Sequence, residues 1–107
     1  MLFRSRKPMS ELVYNNEYEV YFNEETISIV DKTKTSDIDG YVEIPYNIFE
    51  EIYDAWHNDE YNYIHMNYSY EYLEGPAILH IETPLNSIYI PANIWRRMLS
   101  DYVRYSG

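Results

Sequence analysis

Five carboxylates, Glu50, Glu51, Asp54, Asp59 and Glu60, fall between positions 50 and 60, and Tyr63 follows closely. Side chains three or four residues apart on a helix stand about 5–6 Å from one another. Successive phosphates of a nucleic-acid strand have a similar order of spacing, so such a row suits a track of Lys and Arg side chains in a partner. The chemistry on offer is recognition of a basic surface. A plainly solvated helix face is the competing reading, with early acids favoured by the helix dipole. The surroundings weigh against that simpler reading. From Thr35 to Trp95, 61 residues contain no Lys or Arg but 11 carboxylates, so nearly all of the net charge of −10 lies there. Ordinary surfaces mix both signs.

Other chemistries find little footing. The chain has no cysteine, which removes disulfides, thiolate nucleophiles and thiolate metal sites. Its glycines are Gly40, Gly75 and Gly107, so there is no phosphate-cradling glycine loop and no G-x-S-x-G elbow. His57, His65 and His80 lie in the acid-only span without the spacing of a metal motif, and a carboxylate neighbourhood would favour their charged form. No cofactor, no metal and no catalytic activity are expected. The tyrosines Tyr61, Tyr63, Tyr68, Tyr70 and Tyr72 could stack unpaired bases, but single-strand binders also need a basic track for the backbone. Direct nucleic-acid binding and adsorption to anionic membranes are therefore not expected. No apolar run of about 18 residues is present, so the expectation is a cytoplasmic protein.

The elements that must position these residues follow from two similar segments. Residues Tyr41 to Trp56 and Ser87 to Tyr102 align at an offset of 46, with Ile44/Ile90, Pro45/Pro91, Asn47/Asn93 and Ile48/Ile94 identical. Each reads as a short strand, a proline and then a helix, since proline is tolerated where a helix begins. Asn47 and Glu50 also resemble a capping box. Period-two alternation marks strands at Tyr18 to Phe22 and Ile27 to Ile29, and one long strand from Tyr61 to Leu73. In that strand Ile64 shares a face with Tyr68, Tyr70 and Tyr72. Tyr63 takes the other face beside His65 and Glu71, exposed. Ala77 to Glu82 and Ser87 to Ile90 are the last strands. The apolar stripes Ile48, Phe49, Ile52, Tyr53, Trp56 and Ile94, Trp95, Met98, Leu99, Tyr102, Val103 are core.

The expected fold is α+β: an antiparallel sheet of about five or six strands with two helices on one face, built from two weakly similar ββ(β)α units. At 107 residues it forms a single domain, with a flexible basic arm over 1–10, a first unit over 11–57 and a second over 61–105. The second helix carries Arg96 and Arg97 where the first has Glu50 and Glu51. Those arginines could pair within the chain, with a partner, or across a homodimer joining acidic helix to basic helix.

In size, charge and lack of cysteine the chain resembles the small acidic proteins of phage and mobile elements that block host nucleic-acid enzymes. That resemblance is one of composition and assigns no residues. It implies an inhibitor of anti-CRISPR or anti-restriction type that occupies the basic nucleic-acid-binding surface of a host defence nuclease by charge mimicry. Its expected contact residues are Glu50, Glu51, Asp54, Asp59, Glu60 and Tyr63. An immunity protein neutralising a toxin, or a non-catalytic protein-interaction module, is the alternative expectation.

Overall fold

A computed structural model describes residues 10–34 and 40–106. The basic arm with Arg4, Arg6 and Lys7 lies outside the described residues, as do Asp37 and Asp39. The first half of the chain runs β1 (Ser10–Tyr14), β2 (Tyr18–Phe22), β3 (Thr26–Asp31), β4 (Tyr41–Pro45) and α1 (Tyr46–His57). The second repeats that order with β5 (Asn62–His65), β6 (Tyr68–Leu73), β7 (Ile78–Glu82), β8 (Ser87–Pro91) and α2 (Ala92–Ser106). The class is α+β, as expected. The single sheet of five or six strands is not found: there are two four-stranded antiparallel sheets, ordered β1-β2-β3-β4 and β5-β6-β7-β8.

Two local features account for the extra strands. The run Tyr61 to Leu73 folds back at Met66 and Asn67, pairing His65 with Tyr68 and Tyr63 with Tyr70. Alternation continues through a two-residue turn, so sequence period alone does not mark it. The usual flag is also missing, because Met66 takes φ 55 at a place that normally calls for glycine or asparagine. At the other end, Leu12 and Tyr14 alternate with Glu11 and Val13 to form β1. Asn15 and Asn16, both at positive φ, close its hairpin with β2. Asparagine tolerates the left-handed region better than most residues.

The two units correspond closely in backbone detail. Ile27 faces Ile44 in one sheet and Leu79 faces Ile90 in the other. The offset is thus 52 in the third strand of each unit and 46 in the fourth, and the longer β3–β4 connection absorbs the difference. The first helical N–H of each helix donates to the residue just before the third strand of its own unit, Tyr46 to the Glu25 carbonyl at 3.2 Å and Ala92 to the Ala77 carbonyl at 2.9 Å. In α1 this bond takes the place of side-chain capping. Pro45 is the cap residue of α1 and makes no side-chain cap bond, so the Asn47–Glu50 capping box does not form.

The core is continuous through both units. Val20, Ile27, Ile29, Val42 and Ile44 of the first sheet and Leu79, Ile81, Ile88 and Ile90 of the second are buried against Ile48, Phe49, Ile52, Ile94, Trp95 and Met98 of the helices. Phe49 and Trp95, equivalent at the offset of 46, meet edge to face with centroids 5.8 Å apart. A local two-fold axis runs between them. Phe49 packs on Tyr102 at 4.8 Å and Trp95 on Trp56 at 6.4 Å, the same contact seen from each side of that axis. Edge-to-face pairs contribute about 0.5–1.5 kcal/mol each beyond burial. The sheets are tied as well, by the Gly40 N–H to the Ser87 carbonyl at 2.8 Å and the Tyr18 hydroxyl to the Tyr89 carbonyl at 2.8 Å.

Candidate partner-binding site

The amphipathic pattern of α1 turns Ile48, Phe49, Ile52 and Ala55 into the core and leaves Glu50, Glu51 and Asp54 exposed. No acid lies in its first turn. Helix-dipole stabilisation acts only within the first turn, so it does not explain these carboxylates. Asp54 stands in the second half of the helix, where a negative charge is mildly unfavourable.

The helix end explains the next two. Asp59 takes φ 60, its N–H donates to the Trp56 carbonyl at 3.2 Å, and the Glu60 N–H reaches the Ala55 carbonyl at 2.9 Å. This pair of bonds is the Schellman ending, with Asp59 at the left-handed position that glycine usually takes. An aspartate there is unfavourable twice over, through its backbone conformation and through its charge at the negative end of the helix. Asp59 and Glu60 are both exposed, at the end of the helix that carries the exposed Glu50, Glu51 and Asp54.

Tyr63 departs from expectation. Because β5 and β6 pair across a hairpin, Tyr63 lies on the face of Tyr70, half-buried under α1, while Ile64 turns outward and is 77% exposed. Glu71, expected beside it, pairs with Asn62 on the opposite face. Tyr63 donates its hydroxyl to Glu51 and stacks on His65 with centroids 6.5 Å apart. The structure thus joins two residues singled out separately, and Tyr63 positions a carboxylate instead of standing free.

The same device recurs. Tyr102 of α2 donates to Glu50 at 3.0 Å, Tyr61 to Glu74 at 2.9 Å, Tyr41 to Glu43 at 3.2 Å and Tyr14 to Asp101 at 2.6 Å. A hydroxyl orients a carboxylate without cancelling its charge, which a lysine or arginine would do. Burial and the adjoining carboxylate push Tyr63 and Tyr102 well above the ordinary phenol range, so both remain donors. High tyrosine content signals this arrangement only in hindsight, since aromatic residues also fill cores.

Among the described residues, no cation is ion-paired to this field. The ion pairs among the described residues are Lys32–Glu19 at 3.4 Å and Arg104–Asp101 at 3.9 Å, and neither involves an acid between Gly40 and Trp95. All nine described carboxylates of that span are exposed. Arg96 lies over the Trp56 ring at 5.5 Å, and Arg97 over the Tyr14 ring at 5.1 Å with a bond to the Asn15 side-chain oxygen at 3.2 Å. Ring faces hold both guanidinium groups.

Among the described residues, no group of three or more His, Asp and Glu side chains could hold a metal ion, and no helix is long and apolar enough to cross a membrane. Comparison with protein-family models, with curated proteins and with solved structures finds no match for the chain.

Proposed function

We propose that this chain is a small inhibitor that docks the acidic face of α1 onto the basic nucleic-acid-binding surface of a host defence nuclease, standing in for the polyanion. Glu50, Glu51, Asp54, Asp59 and Glu60 take the places of phosphates, and Tyr63 and Tyr102 hold two of them in register. The observation that carries this reading is that, among the described residues, none of the nine acids between Gly40 and Trp95 is ion-paired, and all nine face solvent. An aspartate kept at the strained, negative end of α1 points the same way, because backbone strain of this sort tends to gather at working surfaces.

Binding would gain speed from electrostatic steering and would weaken with added salt. The test is a cleavage assay with purified restriction and CRISPR nucleases, in which this protein competes with substrate DNA. Inhibition of at least one enzyme, relieved by raising the DNA concentration, is expected. Inhibition that excess DNA leaves untouched would remove mimicry as the mechanism, and no inhibition across the panel would favour the interaction-module reading.

A further inference from the structure

The local two-fold axis between Phe49 and Trp95 relates surfaces of opposite sign. At the offset of 46, Glu50 corresponds to Arg96 and Glu51 to Arg97. The contacts these residues make correspond too. Glu50 accepts from Tyr102 of α2, and Arg96 covers Trp56 of α1, where Trp56 and Tyr102 are themselves equivalent. Beyond the helices the match loosens: Glu51 binds Tyr63 of β5 and Arg97 covers Tyr14 of β1, two strand positions apart in register, since Tyr63 corresponds to Leu12 and Tyr14 to His65. The two helices thus present exposed pairs of opposite sign at equivalent positions, with Asp101 beside the arginines on α2.

A face of that kind is complementary to itself. A second copy, turned about a two-fold axis lying in the plane of the helices and perpendicular to the local axis, sets its positive half on the negative half of the first. Two-fold contacts of this isologous type close on themselves and stop at a dimer. We infer that two copies of this chain associate through the α1–α2 face, each presenting Glu50 and Glu51 to the partner copy's Arg96 and Arg97.

Three further observations favour this occupant. All four residues are exposed. Neither arginine is ion-paired among the described residues, although the chain has 18 acids and 8 bases. A groove of about 380 Å³ between the helices adjoins the charges, lined by Tyr53, Trp56, His57 and Val103 beside Arg96, and Val103 is 46% exposed. Val103 and the aromatic rings of this mixed groove offer a partner copy surface to bury beside the ion pairs, which exposed pairs alone do not supply. The dimer covers part of the surface used in the proposed inhibition, so a basic partner would compete with the second copy.

Sedimentation equilibrium of the full chain at low and high salt tests this directly. A monomer–dimer equilibrium that shifts toward monomer with salt is expected. Paired substitution Arg96→Glu and Arg97→Glu should weaken dimerisation roughly ten-fold or more, as should Glu50→Arg with Glu51→Arg. An equimolar mixture of the two variants should restore association, because each supplies the charge the other lacks. Arg96→Gln with Arg97→Gln, which leaves the tyrosine–carboxylate bonds untouched, should weaken it as well. A wild-type chain that stays monomeric at low salt overturns the inference, as does dimerisation indifferent to the arginine substitutions. Both results leave the cleavage assay unaffected, so the two readings fail separately.

Discussion

Glu50 and Arg96 hold equivalent places on the two helices, and each reaches across to the same position of the other one, Tyr102 or Trp56. The helices are therefore coupled through polar contacts at their exposed rim as well as through the aromatic core. The carboxylate keeps its charge in this exchange because its partner is a hydroxyl. That choice of partner, repeated at Glu43, Glu51 and Glu74, is what makes a protein with few cations able to order an acidic surface.

The Tyr63–Glu51 bond should be worth about 1 kcal/mol to the fold, as expected for a half-exposed hydrogen bond to a charged group. Tyr63→Phe and Glu51→Ala, measured by urea denaturation singly and together, give the coupling. A Gln at 51 still accepts from the hydroxyl, so Glu51→Gln should be close to neutral while Glu51→Ala is not. Equal losses for Gln and Ala would show that charge, and not acceptance, matters there.

High pH should unfold the protein cooperatively. Burial, with its tyrosine neighbours adding to it, pushes Tyr70 up to about 12 from an ordinary value near 10, and Tyr18, Tyr63 and Tyr102 are raised further. A phenol whose folded pKa is raised keeps its proton in the folded state after the unfolded chain has lost it. Its stabilising contribution is complete below about pH 10 and drains away as pH climbs from there through 12 and beyond. Phenolate absorbance and circular dichroism should then change together above pH 10. Fourteen tyrosines titrating near 10 with the dichroism intact would count against these buried, carboxylate-bonded phenols.

Asp59→Gly should stabilise the chain by about 1 kcal/mol, since glycine accepts the left-handed backbone freely and removes a charge from the negative end of α1. Thermal denaturation reads this directly. The same change should weaken association with a basic partner, so stability and binding move in opposite directions. A destabilised Asp59→Gly variant would mean that the aspartate side chain supports the helix end in some other way.

Gly40→Ala should cost about 2 kcal/mol. Gly40 sits at φ 86, and an added Cβ would come within 2.7 Å of the Lys34 side chain near its root, where the lysine cannot simply swing away. Its N–H also joins the two sheets through Ser87. A chemical denaturation midpoint unchanged by the substitution would contradict this assignment.

Much of this arrangement was legible beforehand, and what escaped has definite causes. The helices were readable because the stripes Ile48, Phe49, Ile52 and Ile94, Trp95, Met98 follow a period close to 3.6. The strands Ile27–Ile29 and Ser87–Ile90 were readable from period two. The β5–β6 hairpin was hidden, since Met66 occupies a turn position without the glycine that would announce it, and the alternation persists through the turn. With it went the placement of Tyr63, whose face depends on where the chain reverses. The carboxylate row on α1 came from spacing alone. Its fastening by tyrosine hydroxyls could not be read, because Glu50–Tyr102 spans 52 residues and depends on the local two-fold axis.

Replacing Glu50, Glu51 and Asp54 with Gln, Gln and Asn tests the charge itself, since shape and hydrogen-bond acceptance persist while three negative charges vanish. The decisive measurement is inhibition of a susceptible nuclease by this folded triple variant and by the wild-type chain, each across a series of salt concentrations. Inhibition by the wild type that falls steeply with salt, and a variant both much weaker and less sensitive to salt, are the expected results. A variant that inhibits as strongly as the wild type at every salt concentration would contradict polyanion mimicry by α1.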